Sequence, residues 1–61
     1  MYNDNLQGAL RVWFGELKDA RQELSEIDAI ADTVERAARL RFTRGRIRRI
    51  EMRIDELMKE A

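Results

Sequence analysis

Cysteine, histidine and proline are all absent from this sequence, and glycine occurs only three times. Without cysteine there is no disulfide and no thiolate metal site. Without histidine the chain lacks the usual general base near neutral pH and the commonest metal ligand. The lack of proline and the scarcity of glycine leave few helix breakers. No apolar run approaches the roughly 18 residues of a membrane span, and the chain opens on no signal-peptide pattern. A cytoplasmic location away from membranes is therefore the expectation. Neither sign of charge is in excess, because 12 Lys and Arg balance 12 Asp and Glu. The length, 61 residues, allows one small domain. These absences predict an all-α, non-enzymatic chain with no cofactor and no metal.

What is present is a heptad. Leu6, Leu10, Trp13, Leu17, Ala20, Leu24, Ile27, Ala31, Val34 and Ala38 follow one another at alternating spacings of four and three. That is the seam of a coiled-coil helix. Asn3 or Asp4 is placed to cap its start. Ser25 is a weak candidate for a second cap, but the seam passes through it, so the spacing predicts one helix over about 4–41. Beyond Ala38 the same register would bury Gly45, Arg48, Met52, Asp55 and Lys59, so it ends there. A new seam runs through Ile47, Ile50, Ile54, Leu57 and Ala61. The step from Ala38 to Ile47 is nine residues rather than seven, which at about 100° per residue turns the stripe to the opposite side of a continuous helix. With Thr43 and Gly45 at the break, the expected fold is a helical hairpin with a turn at about 42–45 and a short helix at about 46–60.

Such a hairpin leaves Leu6, Leu10, Trp13, Phe14, Leu17 and Leu24 beyond the reach of the short arm. A stripe of that kind does not stay wet on a monomer. A chain this short also buries too little to offset the cost of ordering it, about 1.5 kcal/mol per residue. Both arguments predict a homo-oligomer. A homodimer, as an antiparallel coiled coil or four-helix bundle with those six residues at the interface, is the simplest form.

Neutrality hides a strong segregation of charge. Residues 1–35 carry three basic groups against eight acidic ones, residues 36–53 carry eight Arg against one Glu, and residues 54–61 return to a net of −2. Near neighbours match some of the cluster: Asp32–Arg36 and Glu35–Arg39 are i,i+4 pairs, while Arg48–Glu51 and Arg53–Glu56 are i,i+3 pairs. Two accounts cover the rest. In one, the acidic stretch Glu16–Glu35 of a partner chain lies against the basic stretch, with antiparallel residue numbers summing to about 70. In the other, Arg39, Arg41, Arg44, Arg46, Arg48 and Arg49 form an anion-seeking tip for an acidic protein surface or a nucleic acid, with Phe42 available to stack on a base, although an aromatic next to a turn is more often a lid on the core. Six Arg in eleven residues exceed what nearby carboxylates can match, which favours the external account.

Catalytic residues are not expected. The hydroxyls of Tyr2, Ser25, Thr33 and Thr43 have no histidine to activate them. Asp28, Asp32 and Glu35 share a helix side, as do Glu51 and Asp55, but the Glu-x-x-His motif of di-metal bundles is missing, so they read as solvated faces. Gly8 and Gly15 fall seven apart at the outward position and form no phosphate loop. Met52 lies outside the second seam and Met58 flanks it; they either extend an interaction surface or, as is commoner, fill gaps. The functional expectation is a small helical interaction protein, an inhibitor, adaptor or assembly factor, that works through its apolar seam and Arg-rich tip. The alternative is a nucleic-acid-binding regulator using the Arg cluster of 36–53, against which the zero net charge weighs.

Overall fold

A computed structural model describes residues 4–60 of the chain. They form two helices, α1 (Asp4–Ile27) and α2 (Thr33–Lys59), folded into an antiparallel hairpin 51 × 15 × 10 Å across its Cα atoms. No strand occurs among the described residues. Asn3 and the Asp4 side chain, the candidate caps of the first helix, lie outside them, as does Ala61 at the end of the second seam.

The hairpin is as expected in kind, but its turn is not at 42–45. The chain reverses at 28–32, and α2 runs unbroken through Phe42, Thr43, Arg44 and Gly45. The helices are therefore nearly equal, 24 and 27 residues, rather than one long and one short. The reason lies in the phase of the apolar stripe. In α1 the seam ends at Ile27; Ala31, Val34 and Ala38 continue its spacing but are exposed, Val34 by 78%. The second seam begins at Arg36 and passes through Leu40, Thr43, Ile47, Ile50, Ile54 and Leu57, all of them buried or half-buried. From Ile27 to Arg36 is nine residues. The register slip inferred between Ala38 and Ile47 is thus real in size and falls at the turn, one seam position after another matching by coincidence until Ala38.

Local chemistry makes the turn without glycine or proline. α1 tightens at its end, with the Ala29 and Ile30 amides donating to the carbonyls of Glu26 and Ile27. Asp32 then takes an extended conformation (φ −73°, ψ 121°), and its Oδ1 accepts from the Glu35 amide at 2.9 Å, capping α2. Glu35 stands three residues after the cap, near the positive end of the helix dipole. Arg36 reaches back, its Nη1 donating to the Ile30 carbonyl at 3.3 Å, and so ties the loop to the first turn of α2. Ser25 caps nothing; its hydroxyl donates to the Gln22 carbonyl within α1.

The core is one layer between the helices. Leu17 and Ala20 of α1 meet Ile50 and Ile54 of α2, with Leu10, Trp13 and Ile47 packed against them. Ile27 and Leu57 are also buried, nearer the two ends. Thr43 sits in this layer at 0% exposure, and its Oγ1 makes no hydrogen bond. A helical threonine can bond the carbonyl four residues back, but this one does not, so the hydroxyl is a cost at a seam position.

Two substitutions separate this fold from a turn at 42–45. Gly45 has no left-handed conformation, and a methyl group there would meet only Arg49 Nη1, at 3.9 Å. Gly45→Ala is expected to raise stability by up to about 1 kcal/mol, or several degrees in Tm, because it replaces a helix-interior glycine. Thr43→Val removes an unsatisfied buried hydroxyl and is expected to stabilise by about 1 kcal/mol as well. Thermal melts followed by circular dichroism check both; a turn at these positions would make both changes destabilising.

Candidate anion-binding face of α2

Packing against α1 divides the eight Arg of α2 into two groups. Arg46 lies on the flank that faces α1 and is bound twice. Its Nη2 donates to Glu16 Oε2 at 2.9 Å and its Nη1 donates to Glu23 Oε2 at 3.1 Å. Glu16 and Glu23 are one heptad apart, so a single guanidinium spans two turns of α1. On the other edge Arg21 Nη2 stands 3.7 Å from Glu51 Oε2. Arg53 pairs with Glu56 at 3.0 Å along α2, and Arg36 is held at the turn. Arg39 shares a surface depression near the turn with Glu23, Glu26 and Glu35.

The facing of acid and base expected between two chains therefore occurs within one. Arg46 and Arg39, assigned from sequence to an external tip, lie against the acidic side of their own α1. Of the four near-neighbour pairs expected along the helix, only Arg53–Glu56 forms; Asp32 is engaged as the cap instead.

Arg41, Arg44, Arg48 and Arg49 are different. All four are exposed, and none makes a hydrogen bond or ion pair among the described residues. Arg41, Arg44 and Arg48 line an open concavity of about 500 Å³ together with Ala37, Leu40 and Gly45. Arg49 extends over Gly45 from the other side. At about 100° per residue, Arg41 and Arg48 lie about 120–140° around the helix from the buried seam and point away from α1, while Arg44, one heptad before Glu51, lies about 80° from the seam on the flank of Glu51. Phe42, 64% exposed, stands one heptad before Arg49 and on the same side of α2. It is neither a lid on a turn nor part of the core.

The apolar candidates also divide. Leu17 is 7% exposed and covered by α2 of its own chain, and Leu6, Leu10, Trp13 and Leu24 are half-buried. The premise that these residues lack intramolecular cover fails, because α2 is long enough to reach them. Phe14 alone of the six stays exposed, at 49%. No group of three acidic side chains suited to a metal ion occurs among the described residues, and no helix is long and apolar enough to cross a membrane.

Arg46→Gln is expected to cost about 1 kcal/mol of stability, the upper end for ion pairs that are still partly solvated, and Arg44→Gln to cost nothing. The difference should shrink in high salt, where partly exposed charges are screened. Urea melts of both variants at low and high salt check this; equal effects would mean that Arg46 does not bridge the helices.

Comparison of the chain with family models, curated proteins and solved structures finds no match, so the functional reading rests on the geometry just described.

Proposed function

We propose that the chain is a non-enzymatic helical interaction protein, an inhibitor, adaptor or assembly factor, that pairs with a second copy along one edge of the hairpin and offers the Arg face of α2 to an anionic partner. The observation that carries the reading is the unfinished core. Two helices enclose a seam from two directions only, and Leu6, Leu10, Trp13 and Leu24 of α1 and Leu40 and Ile47 of α2 remain half-buried after packing.

The edges of the hairpin are unlike. One carries Glu16 and Glu23 against Arg46. The other is marked by Arg21–Glu51, and one heptad towards the open end the same positions are held by Phe14 and Met58, both exposed. That apolar edge supports side-by-side association of two hairpins into a four-helix bundle, which would complete the cover of Leu10 and Trp13. Small domains with a core of this size are ordinarily stabilised by disulfides, metals or assembly. With no cysteine in the sequence, assembly is the route that the proposal takes.

The wild-type chain is expected to sediment as a dimer at micromolar concentration and to melt at a temperature that rises with protein concentration. Phe14→Ser with Met58→Ser is expected to give a helical monomer, since neither side chain belongs to the buried layer. A folded wild-type monomer whose melt is independent of concentration would overturn the self-pairing.

A further inference from the structure

We propose that Arg41, Arg44, Arg48 and Arg49, gathered around Gly45 with Phe42 on their flank, bind single-stranded nucleic acid, the guanidiniums holding successive phosphates while Phe42 stacks on a base. This deepens the reading of the Arg face as a working surface and rests on it.

The first support is the sorting of charge by the fold. Where arginines serve the hairpin, they find oxygen partners: Arg46 two carboxylates of α1, Arg53 a neighbouring carboxylate, Arg36 a turn carbonyl. Of the other five, Arg39 shares a depression with Glu23, Glu26 and Glu35, and the remaining four crowd nine residues of one helix with no acidic group among them. Like charges so spaced repel, which destabilises the free helix until an anion neutralises them.

Shape is the second. The concavity is lined by Arg41, Arg44 and Arg48 together with Ala37, Leu40 and Gly45, and Arg49 reaches towards Gly45 without lining it. Gly45 leaves the helix surface open at the centre of the cluster. From Arg41 to Arg48 is two helical turns, about 10 Å, a length that follows a run of phosphates rather than a single ion. The choice of Arg throughout suits phosphate oxygens, which its planar fork grips in pairs.

Phe42 decides between nucleic acid and protein, and between single strand and duplex. The neighbouring positions on its side of α2 are Ala38, Arg39, Gly45, Arg46 and Arg49, none of them a large apolar residue. A protein interface is built around a desolvated apolar centre; exposed Val34 and Met52 share this outward side of α2, but they stand eight and ten residues from Phe42, so the apolar groups are scattered among the arginines rather than gathered into one. A lone aromatic among guanidiniums is the arrangement that binds unpaired bases, since every base presents a flat face. Bases in a duplex are already stacked and out of its reach. The cluster carries no Asn or Gln to read base edges, so binding is tolerant of sequence.

Zero net charge is no obstacle in this geometry. The acidic groups beside the cluster are engaged within the hairpin, Glu16 and Glu23 by Arg46 and Glu51 by Arg21. At physiological salt the screening length is about 8 Å, so a bound strand meets the local positive field and little of the acidic one.

The test is fluorescence anisotropy with the full chain and a labelled 12-nucleotide mixed-sequence RNA, the same sequence as single-stranded DNA, its duplex, and a polyglutamate peptide. Saturable binding of both single strands, weaker binding of the duplex and none of the peptide are expected. With four phosphates neutralised, affinity should fall about 50-fold between 50 and 200 mM salt. The quadruple Arg→Gln variant at 41, 44, 48 and 49 should lose binding at least tenfold while keeping its helical circular dichroism. Phe42→Leu should weaken the single strands several-fold and leave the duplex unchanged. Arg11→Gln with Lys18→Gln, on α1, should change nothing. Absence of single-strand binding by the folded chain overturns the proposal. Binding of polyglutamate alone overturns it too, while leaving the Arg face as a docking surface for an acidic protein. Equal affinity for duplex and single strand, or indifference to Phe42→Leu, overturns the stacking.

Discussion

One apolar seam on each helix, and the need to cover it, governs the arrangement of the rest. A helix with a single stripe of large side chains is not stable alone in water, and its stability comes from burying that stripe. Here the two stripes are out of phase by nine residues across the turn, from Ile27 to Arg36. A straight continuous helix would present them on opposite sides, where neither covers the other. Reversal at 28–32 brings Leu17 and Ala20 onto Ile50 and Ile54, and the hairpin follows. The same constraint leaves work undone, because a two-helix layer is open at both edges. Trp13, Leu10 and Ile47 are packed only in part, and the apolar edge at Phe14 and Met58 follows from that narrowness.

Charge then fixes which way and how far the helices slide. A seam of Leu and Ile tolerates a shift by one heptad, since the side chains are alike in size and shape. Arg46, its two donors on carboxylates seven residues apart at 2.9 and 3.1 Å, does not by itself forbid such a shift, since Arg39 and Arg53 stand one heptad to either side; opposite Arg21, however, the shift would set Arg44 or Met58 in place of Glu51. Arg21 and Glu51 agree with the same alignment on the other edge. The pairs are partly solvated and add little to stability each. Their value lies in selecting one register among several of similar apolar cover. Once Arg46 is used this way, the arginines turned outward are left without partners, and the face that carries them acquires its field.

Helical class, the hairpin and the nine-residue slip are legible in the amino-acid sequence. The position of the slip is not, for a physical reason. Ala31, Val34 and Ala38 are apolar and continue the α1 spacing by chance, while Arg36 and Thr43 disguise the start of the α2 seam because neither is apolar. Arg36 qualifies for the seam by its long aliphatic stem and its reach to the Ile30 carbonyl. One signal was available: Asp32-Thr33-Val34-Glu35 has the form of a capping box, with a cap residue followed three places later by Glu. Reading Asp32 as a helix partner of Arg36 concealed it. The Arg cluster was visible as a run of charge, but which members face inward depends on the register, and no local spacing distinguishes Arg46 from Arg44. Likewise, Leu17 reads as an exposed seam residue only when the second helix is too short to reach it.

The two seams close on each other within one chain, about a turn at 28–32. Isotope-filtered NMR on a sample mixed from labelled and unlabelled chains measures this directly. The account predicts helical carbon shifts through 4–27 and 33–59 with a break at 28–32, and nuclear Overhauser contacts from Leu17 to Ile50 and Ile54 within a single chain. Helical shifts running unbroken through 28–32, or Leu17 contacts to those residues found only between chains, would contradict it.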